Sequence, residues 1–369
     1  MAQGCRRSIP LGKPEGGVTQ SKRPIRTLVR RFARRRPARA ILAGVVLLAL
    51  AVLGARWAGV STRPSALPES GAGAVSPTST PGATINTLDR AAVAAFYHEG
   101  YLGAPGVDSG WTGNHAACDE GSTSPEFRAA VLRRVNYFRA MAGVGAEVEF
   151  TDELNRKAQK TALMLSVNSK LTHYPDADWL CYSQDGAFAA AKCNLFLGVD
   201  SVAAIDGYME DRGNTNYAVS HRRWLLDPST QQMGTGDIPA SGAYLAANAL
   251  WVVVPSSSPG HMRDPYVAWP PPGYVPYDLV FPRWSVSRDG MDLSRASVTM
   301  LHHGQRVALT VLEAVAGSGL NPLVWEPHIP PRQRTEVDTW YTVRVENALI
   351  KGWPASFQYT VVVFDPDRR

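Results

Sequence analysis

Hydrophobic residues recur at helical spacing in three segments of the middle of the chain. The first segment begins at Ser124-Pro125, which supplies an N-cap and a proline at the first helical position, and Gly143 suits its C-terminal end. The second begins at Thr151, and the third covers 201–211. The apolar residues that share a face in the first two segments are Phe127, Val131, Val135 and Phe138, and Leu154, Ala158, Ala162 and Leu165.

Towards the C-terminus the apolar period changes from helical to alternating. Residues 246–254 already form an apolar run that predicts a buried strand. Residues 257–273 are dense in Pro and Gly and are predicted to be a linker. Alternating segments at 298–300, 307–311, 340–345 and 357–364 then predict short strands. By analogy of architecture, 274–367 is expected to form an immunoglobulin-like or related all-β sandwich.

The N-terminal 84 residues have a different character. Residues 1–39 form a tail with 12 Lys and Arg against one acid, Glu15, and the apolar run Ala40–Ala55 follows. The segment 40–58 is predicted to be a transmembrane signal-anchor or a cleaved signal peptide, and the sequence leaves both open. Either interpretation keeps the tail inside and places the chain after residue 60 outside the cytoplasm. Residues 59–84, rich in Pro, Ser, Thr, Gly and Ala, are predicted to be a disordered linker.

The formal net charge of +6 is unevenly distributed along the chain. Nucleic-acid binding needs a basic folded surface. Here the positive charge lies in the tail, and residues 41–369 hold 26 basic against 31 acidic side chains. We therefore expect no nucleic-acid partner, and we expect the basic tail to lie beside a membrane.

Asn136, Arg139 and Gly143 fit an N-x-x-R-x-x-x-G pattern, "KLTH" ends at His173, and "SHRRWLLDPSTQQMGTGDI" contains His221. In order and spacing these segments resemble the CAP superfamily (cysteine-rich secretory, antigen 5 and pathogenesis-related-1 proteins), in its bacterial form. The similarity covers about 88–256, so a CAP (SCP-like) domain is expected at 85–256. It implies an α-β-α sandwich, and the whole chain is expected to be of the α+β class.

The resemblance also implies a cleft where two histidines and two acids converge, in some members around a divalent metal. The first acid position matches Lys192-Cys193-Asn194, so Cys193 stands where the family has an acid. The second is expected at Asp211, with Glu210 as the alternative. The expected cleft residues are His173, His221, Asp211, Glu210 and Asn194. Zinc is the metal expected at His173 and His221, unless both histidines are only hydrogen-bonded groups in a groove.

Four cysteines are present, and Cys5 lies in the tail, apart from the other three. One disulfide is expected outside the cytoplasm, where such bonds persist. Cys118–Cys181 is favoured because it ties the loop before the first long helix to the loop after His173, and because Cys193 stands where the family varies. Cys181–Cys193 is the alternative pairing.

Two functions from different classes follow. The first is an extracytoplasmic binding protein whose cleft takes a lipid-like, cell-wall or protein ligand. The second is a metal-dependent hydrolase that uses His173, His221 and Asp211. Covalent catalysis is disfavoured because it needs a base, a nucleophile and oxyanion donors together, and the sequence shows at most the base. The expected location is the cell membrane with the C-terminal region outside, or secretion if the N-terminal segment is cleaved.

Overall fold

The fold is described from a computed structural model that covers residues 85–103, 106–256, 260–313 and 322–368. The basic tail, the apolar segment and the spacer predicted at 1–84 lie outside these residues and stay predictions. Among the residues that are covered, no helix is long and apolar enough to cross a membrane.

Six α-helices lie in the described part of the chain, and their starts follow local capping signals. The Ser124 side chain accepts from the backbone N–H of Phe127 at 3.2 Å, and Thr151 caps the next long helix in the same way through Leu154 at 3.3 Å. The three predicted helices are confirmed. The helices are α1 (Arg90–Phe96), α2 (Pro125–Met141), α3 (Asp152–Asn168), α4 (Gln184–Ala190), α5 (Ser201–Glu210) and α6 (Ser220–Leu225), with a π-helical turn at Tyr97–Leu102 and a 3₁₀ turn at Tyr277–Leu279.

A four-stranded sheet lies between the helices. Its strands are β1 (Glu149–Phe150), β2 (Cys193–Leu197), β3 (Gln232–Ile238) and β4 (Ala247–Trp251). The spatial order is β1-β3-β4-β2, so β2 is an edge strand. The pairing is antiparallel except for β1 with β3. The strand predicted at 246–254 is confirmed as β4.

Helices pack on both faces of this sheet. On one face α3 approaches β3 very closely, because a Cβ at Gly236 would lie 2.2 Å from backbone atoms of Ala158 and Gln159. Glycine is required there by the lack of space. On the other face α2 and α5 share a buried apolar cluster with Met233 and Leu250. The layering is therefore α-β-α, as the resemblance implies.

The C-terminal region is rich in β-structure and contains two further sheets. One has the order β10-β9-β13-β14-β6, with β8 paired to β13, and the other has the order β11-β12-β7-β5. The strands are β5 (Val267–Trp269), β6 (Gly273–Pro276), β7 (Trp284–Ser287), β8 (Met291–Asp292), β9 (Ser297–His302), β10 (Gln305–Arg306), β11 (Leu309–Val311), β12 (Leu323–Pro327), β13 (Thr339–Ile350) and β14 (Trp353–Phe364).

The linker predicted at 257–273 needs correction. Its second half contains the buried strand β5, and Trp269 is completely buried with its ring 5.3 Å from that of Phe138 on α2. Pro and Gly suggested a segment without structure, but burial of a Trp side chain is a large stabilising contribution that local composition does not reveal.

The two predicted domains, 85–256 and 274–367, also share one core. A single buried cluster contains Phe138 of α2 together with Trp269 and Trp325 of the β-rich region. At the other end, the Thr87 carbonyl accepts from the backbone N–H of Tyr274 at 2.7 Å. The described residues between 85 and 368 accordingly belong to one compact unit.

Candidate functional site

A histidine–carboxylate pair forms where α5 ends and α6 begins. Asp211 follows α5 in a left-handed conformation (φ 56°), and its side chain is fully buried. Its two carboxylate oxygens lie 2.7 Å from Nδ1 of His221 and 3.0 Å from the His221 backbone nitrogen. A carboxylate can only accept, so Nδ1 carries a proton, and in the neutral tautomer Nε2 would be the nitrogen that can accept.

Neighbouring elements hold His221 in place. Tyr208 of α5 stacks against its ring at a centroid distance of 5.5 Å. The side-chain amide of Asn194 on β2 donates to the His221 carbonyl at 3.0 Å. The imidazole is therefore fixed by contacts from β2, α5 and the residue that ends α5.

His221 lines a cleft of about 610 Å³. One part of the cleft is apolar and comes from β2 and the loops beside it; this apolar wall consists of Leu171, Leu195, Phe196, Leu197 and Val199. The other part is polar and comes from α5, the loop after it and the β-rich region; this polar end consists of Asp206, Glu210, Arg212, His221 and Arg332. The cleft can therefore contact both the apolar and the polar part of one ligand.

Three ion pairs organise the polar end. The carboxylate of Glu210 is nearly buried and lies 2.6 Å from Nε of Arg212 and 2.8 Å from Nη2 of Arg332. The carboxylate of Asp206, four residues earlier on α5, lies 2.5 Å from Nη1 of Arg134 on α2. Arg332 comes from the loop between β12 and β13, so the β-rich region contributes directly to the cleft.

The model of the cysteine-rich secretory protein family, CAP, matches residues 132–254. This segment is a CAP domain. The resemblance in the sequence is thereby confirmed, and the matched range runs from within α2 to just beyond β4. No curated protein matches the chain.

The structure brings together four of the five expected cleft residues of the CAP domain. Asp211 contacts His221, Asn194 holds it, and Glu210 lies on the polar end. His173 is exposed, and its Nδ1 lies 2.8 Å from the Ala190 carbonyl oxygen. Leu171 lines the cleft, but His173 is not among the lining residues.

The expected metal donors do not form a ligand set. Over the described ranges, no group of three or more His, Cys, Asp and Glu side chains is arranged to hold a metal ion. Cys193 packs on β2 in an apolar cluster with Leu163 and Trp251. Burial raises the pKa of its thiol well above the ordinary value, which disfavours the thiolate that a metal requires. The residues present therefore do not fit zinc.

The disulfide prediction is confirmed. Cys118 is joined to Cys181, and Cys193 is a free, buried thiol. The alternative pairing of Cys181 with Cys193 is wrong. The bond ties the segment before α2 to the loop between α3 and α4. The disulfide and the CAP domain are together consistent with an extracellular or secreted protein.

Sequence reasoning missed three of the charged residues at the polar end, Asp206, Arg212 and Arg332. Asp206 had a usable signal, because it stands four residues before Glu210 and therefore shares its helix face. Arg332 had none, since only the packing of the β-rich region against α5 brings it to the cleft.

Proposed function

We propose that this protein is an extracytoplasmic CAP-domain binding protein whose cleft takes a lipid-like ligand. The observation that carries the proposal is the cleft itself, with an apolar wall beside a charged end and a volume of about 610 Å³. That volume lies within the usual range of small-molecule sites, and such sites combine apolar walls with a few polar groups. A cell-wall fragment or a protein segment is the alternative ligand.

The cleft chemistry favours binding over covalent catalysis. Neither Ser nor Cys occurs among the described residues that line the cleft, and the Thr215 hydroxyl there is not hydrogen-bonded to the His221 ring, whose partner is Asp211. A nucleophile beside the imidazole would be required for a covalent intermediate. His221 is held by Asp211 and can accept a hydrogen bond at Nε2, which suits the hydroxyl or amide of a ligand.

The test is titration calorimetry of 1-decanol into the full chain and into Ala203→Phe. Ala203 is exposed on α5 and lines the cleft, so a phenyl ring there occupies space that the ligand needs. Ala91→Phe, at an exposed position of α1 outside the cleft, is the matched control. We expect binding to the wild type and the control, and none to Ala203→Phe. Equal binding to all three would rule out this cleft as the site.

A second candidate is a hydrolase, and the Asp211–His221 pair favours it. In that case His221 takes a proton from an attacking water and passes it to the leaving oxygen, so that an ester yields an acid and an alcohol. The expected dependence on a metal has no support in the donor set. Hydrolysis of p-nitrophenyl decanoate that is lost in His221→Ala and retained with chelator would establish a metal-independent hydrolase. Loss with chelator would restore the metal-dependent form.

The proposed location is outside the cytoplasm, held to the membrane by the segment 40–58. Support comes from the basic tail, the apolar run and the Cys118–Cys181 disulfide. Protease added to intact cells should digest the chain after residue 60 and leave the tail protected. Sizing of the mature protein then separates an anchor from a cleaved signal peptide. A protected C-terminal region would overturn the orientation.

A further inference from the structure

Arg332 lies at the polar end of the cleft although it belongs to the β-rich region. Its Nη2 donates to Oε2 of Glu210 at 2.8 Å, and its guanidinium lies 5.0 Å from the centre of the Phe281 ring. Its backbone N–H donates to the Val280 carbonyl at 3.0 Å. The side chain is 39% exposed, so these contacts fix the guanidinium without removing it from the cleft.

The backbone of Arg332 supports a positioning role for this loop. Its φ of 53° lies in the left-handed region, which residues other than glycine adopt uncommonly. Such conformations persist where surrounding contacts determine them, and they cluster at ligand sites. Here the ion pair with Glu210, the Phe281 ring and the Val280 carbonyl supply those contacts.

The polar end has an excess of positive charge. Glu210 is shared by two guanidinium groups, Arg212 and Arg332, which leaves one positive charge in excess. Asp206 is neutralised by Arg134. The Asp211 side chain is fully buried and does not line the cleft, and its charge interacts with the buried Arg222 guanidinium, so it does not offset the excess at the polar end.

The two arginines also have hydrogen-bonding capacity beyond Glu210. Arg212 meets the carboxylate through Nε and its side chain is 73% exposed, whereas Arg332 meets it through Nη2 alone. A guanidinium carries five N–H donors in a planar fork that matches a carboxylate or a phosphate. The excess charge and the remaining donors both favour an anionic group at this end.

The β-rich region also fixes the loop that carries Arg212. Nη1 of Arg283 donates to the carbonyls of Asp211 and Gly213 at 2.7 and 3.0 Å. On the next helix, Nη1 of Arg222 donates to Ser285 of β7 at 3.0 Å. The spacing of the two guanidinium groups therefore depends on packing between the CAP domain and the β-rich region.

We infer that Arg332 is a specificity-determining residue that, with Arg212, binds the carboxylate or phosphate of an amphipathic ligand. The apolar part of that ligand lies along the apolar wall, where Leu171 and Leu197 contact it. The inference rests on the proposed binding function of the cleft. It adds that the ligand carries a negative charge and that Arg332 recognises this charge.

The test is titration calorimetry of decanoate, decyl phosphate and 1-decanol into the full chain and two variants. Arg332→Gln removes the charge and keeps most of the side-chain length. Arg344→Gln is the matched control, because Arg344 is exposed on β13 and donates to Gln358 at 3.2 Å outside the cleft. Circular dichroism and the melting temperature establish that each variant is folded.

We expect Arg332→Gln to weaken binding of the anion by about tenfold to a hundredfold, as loss of a charge-assisted hydrogen bond does. Binding of 1-decanol should stay within about twofold, since no charged hydrogen bond is lost to a neutral ligand. The control should match the wild type for all three. The anion whose affinity falls more in Arg332→Gln, decanoate or decyl phosphate, identifies whether Arg332 recognises a carboxylate or a phosphate.

Two outcomes overturn the inference in different ways. If 1-decanol binds and Arg332→Gln leaves anion binding unchanged, or weakens all three ligands equally, Arg332 is not a specificity residue and the proposed function stands. If no decyl compound binds the wild type, the lipid-like cleft is itself wrong, and the inference fails with it.

Discussion

Replacement of Gly236 by alanine tests the close approach of α3 to the sheet. An added Cβ would lie 2.2 Å from the Ala158 carbonyl carbon and the Gln159 nitrogen, and 2.3 Å from the Ala158 carbonyl oxygen. These are backbone atoms of a buried helix, so no side chain can rotate away. Carbon atoms in contact are separated by about 3.5–4.0 Å, so α3 must retreat from β3 by more than about 1 Å.

That retreat strains a pair of buried hydrogen bonds. Gln159 donates to the Asp237 carbonyl at 2.8 Å and accepts from the Asp237 backbone N–H at 2.9 Å. Overpacking in a core destabilises by about 1–3 kcal/mol, and each weakened hydrogen bond adds about 1 kcal/mol. We expect the free energy of unfolding to fall by about 3 kcal/mol or more, and the melting temperature by about 6–12 °C.

Gly145→Ala is the matched control for urea and thermal unfolding of the full chain. No atom lies within 4 Å of a Cβ built at Gly145, and its φ is not in the left-handed region. Its stability should equal that of the wild type or exceed it by up to about 1 kcal/mol, because alanine restricts the unfolded chain. If Gly236→Ala were as stable as Gly145→Ala, the helix–sheet distance would not be limited by this glycine.

Four further predictions concern stability and reactivity. Removal of the disulfide by Cys118→Ser should lower the free energy of unfolding by about 2–4 kcal/mol in denaturant titrations. The buried thiol of Cys193 should resist alkylation until the protein unfolds. Rapid labelling of Cys193 in the native protein would contradict its burial. Burial raises the pKa of Asp237 in the folded protein to about 6, above its value in the unfolded chain. The folded state therefore loses stability as pH rises from about 4 to about 7, because the buried carboxyl group must ionise. In urea titrations, Asp237→Asn should lose less stability than the wild type over that pH window. Parallel pH profiles would refute that assignment. Arg90→Ala should lower stability by about 1–2 kcal/mol, since Nε of Arg90 pairs with Asp338 at 3.1 Å; an unchanged urea midpoint would show that this contact contributes nothing.

The parts of the fold that the sequence predicted are those that depend on local chemistry. Ser124 and Thr151 cap their helices through N–H groups three residues away, and such pairs are visible in any short stretch of sequence. The pairing of Asp211 with His221 was accessible because the resemblance to the CAP superfamily implied both positions. Local signals thus predicted the helices, and the family pattern predicted the centre of the site.

The parts that were missed depend on contacts between distant segments. Trp269 lies in a Pro- and Gly-rich stretch, and only the Phe138 ring beside it shows why that stretch is ordered. Nothing in the sequence around Arg332 indicates a role, because its contact with Glu210 joins two segments that are distant in the chain. His173 satisfied the expected motif, yet its Nδ1 meets the Ala190 carbonyl and the residue does not line the cleft.

The shared core has a consequence for how the chain acquires its structure. Synthesis delivers the CAP domain before the β-rich region, so the α2 face around Phe138 lacks its contact with Trp269 until that residue has been made. The contacts of the first helix are completed later still, because Nη1 of Arg90 donates to the carbonyl of Arg368 at 2.8 Å, near the end of the chain. Contacts so far apart in the sequence form slowly. During that interval an exposed apolar face is prone to aggregation, so we expect folding of this protein to depend on a chaperone that binds this face.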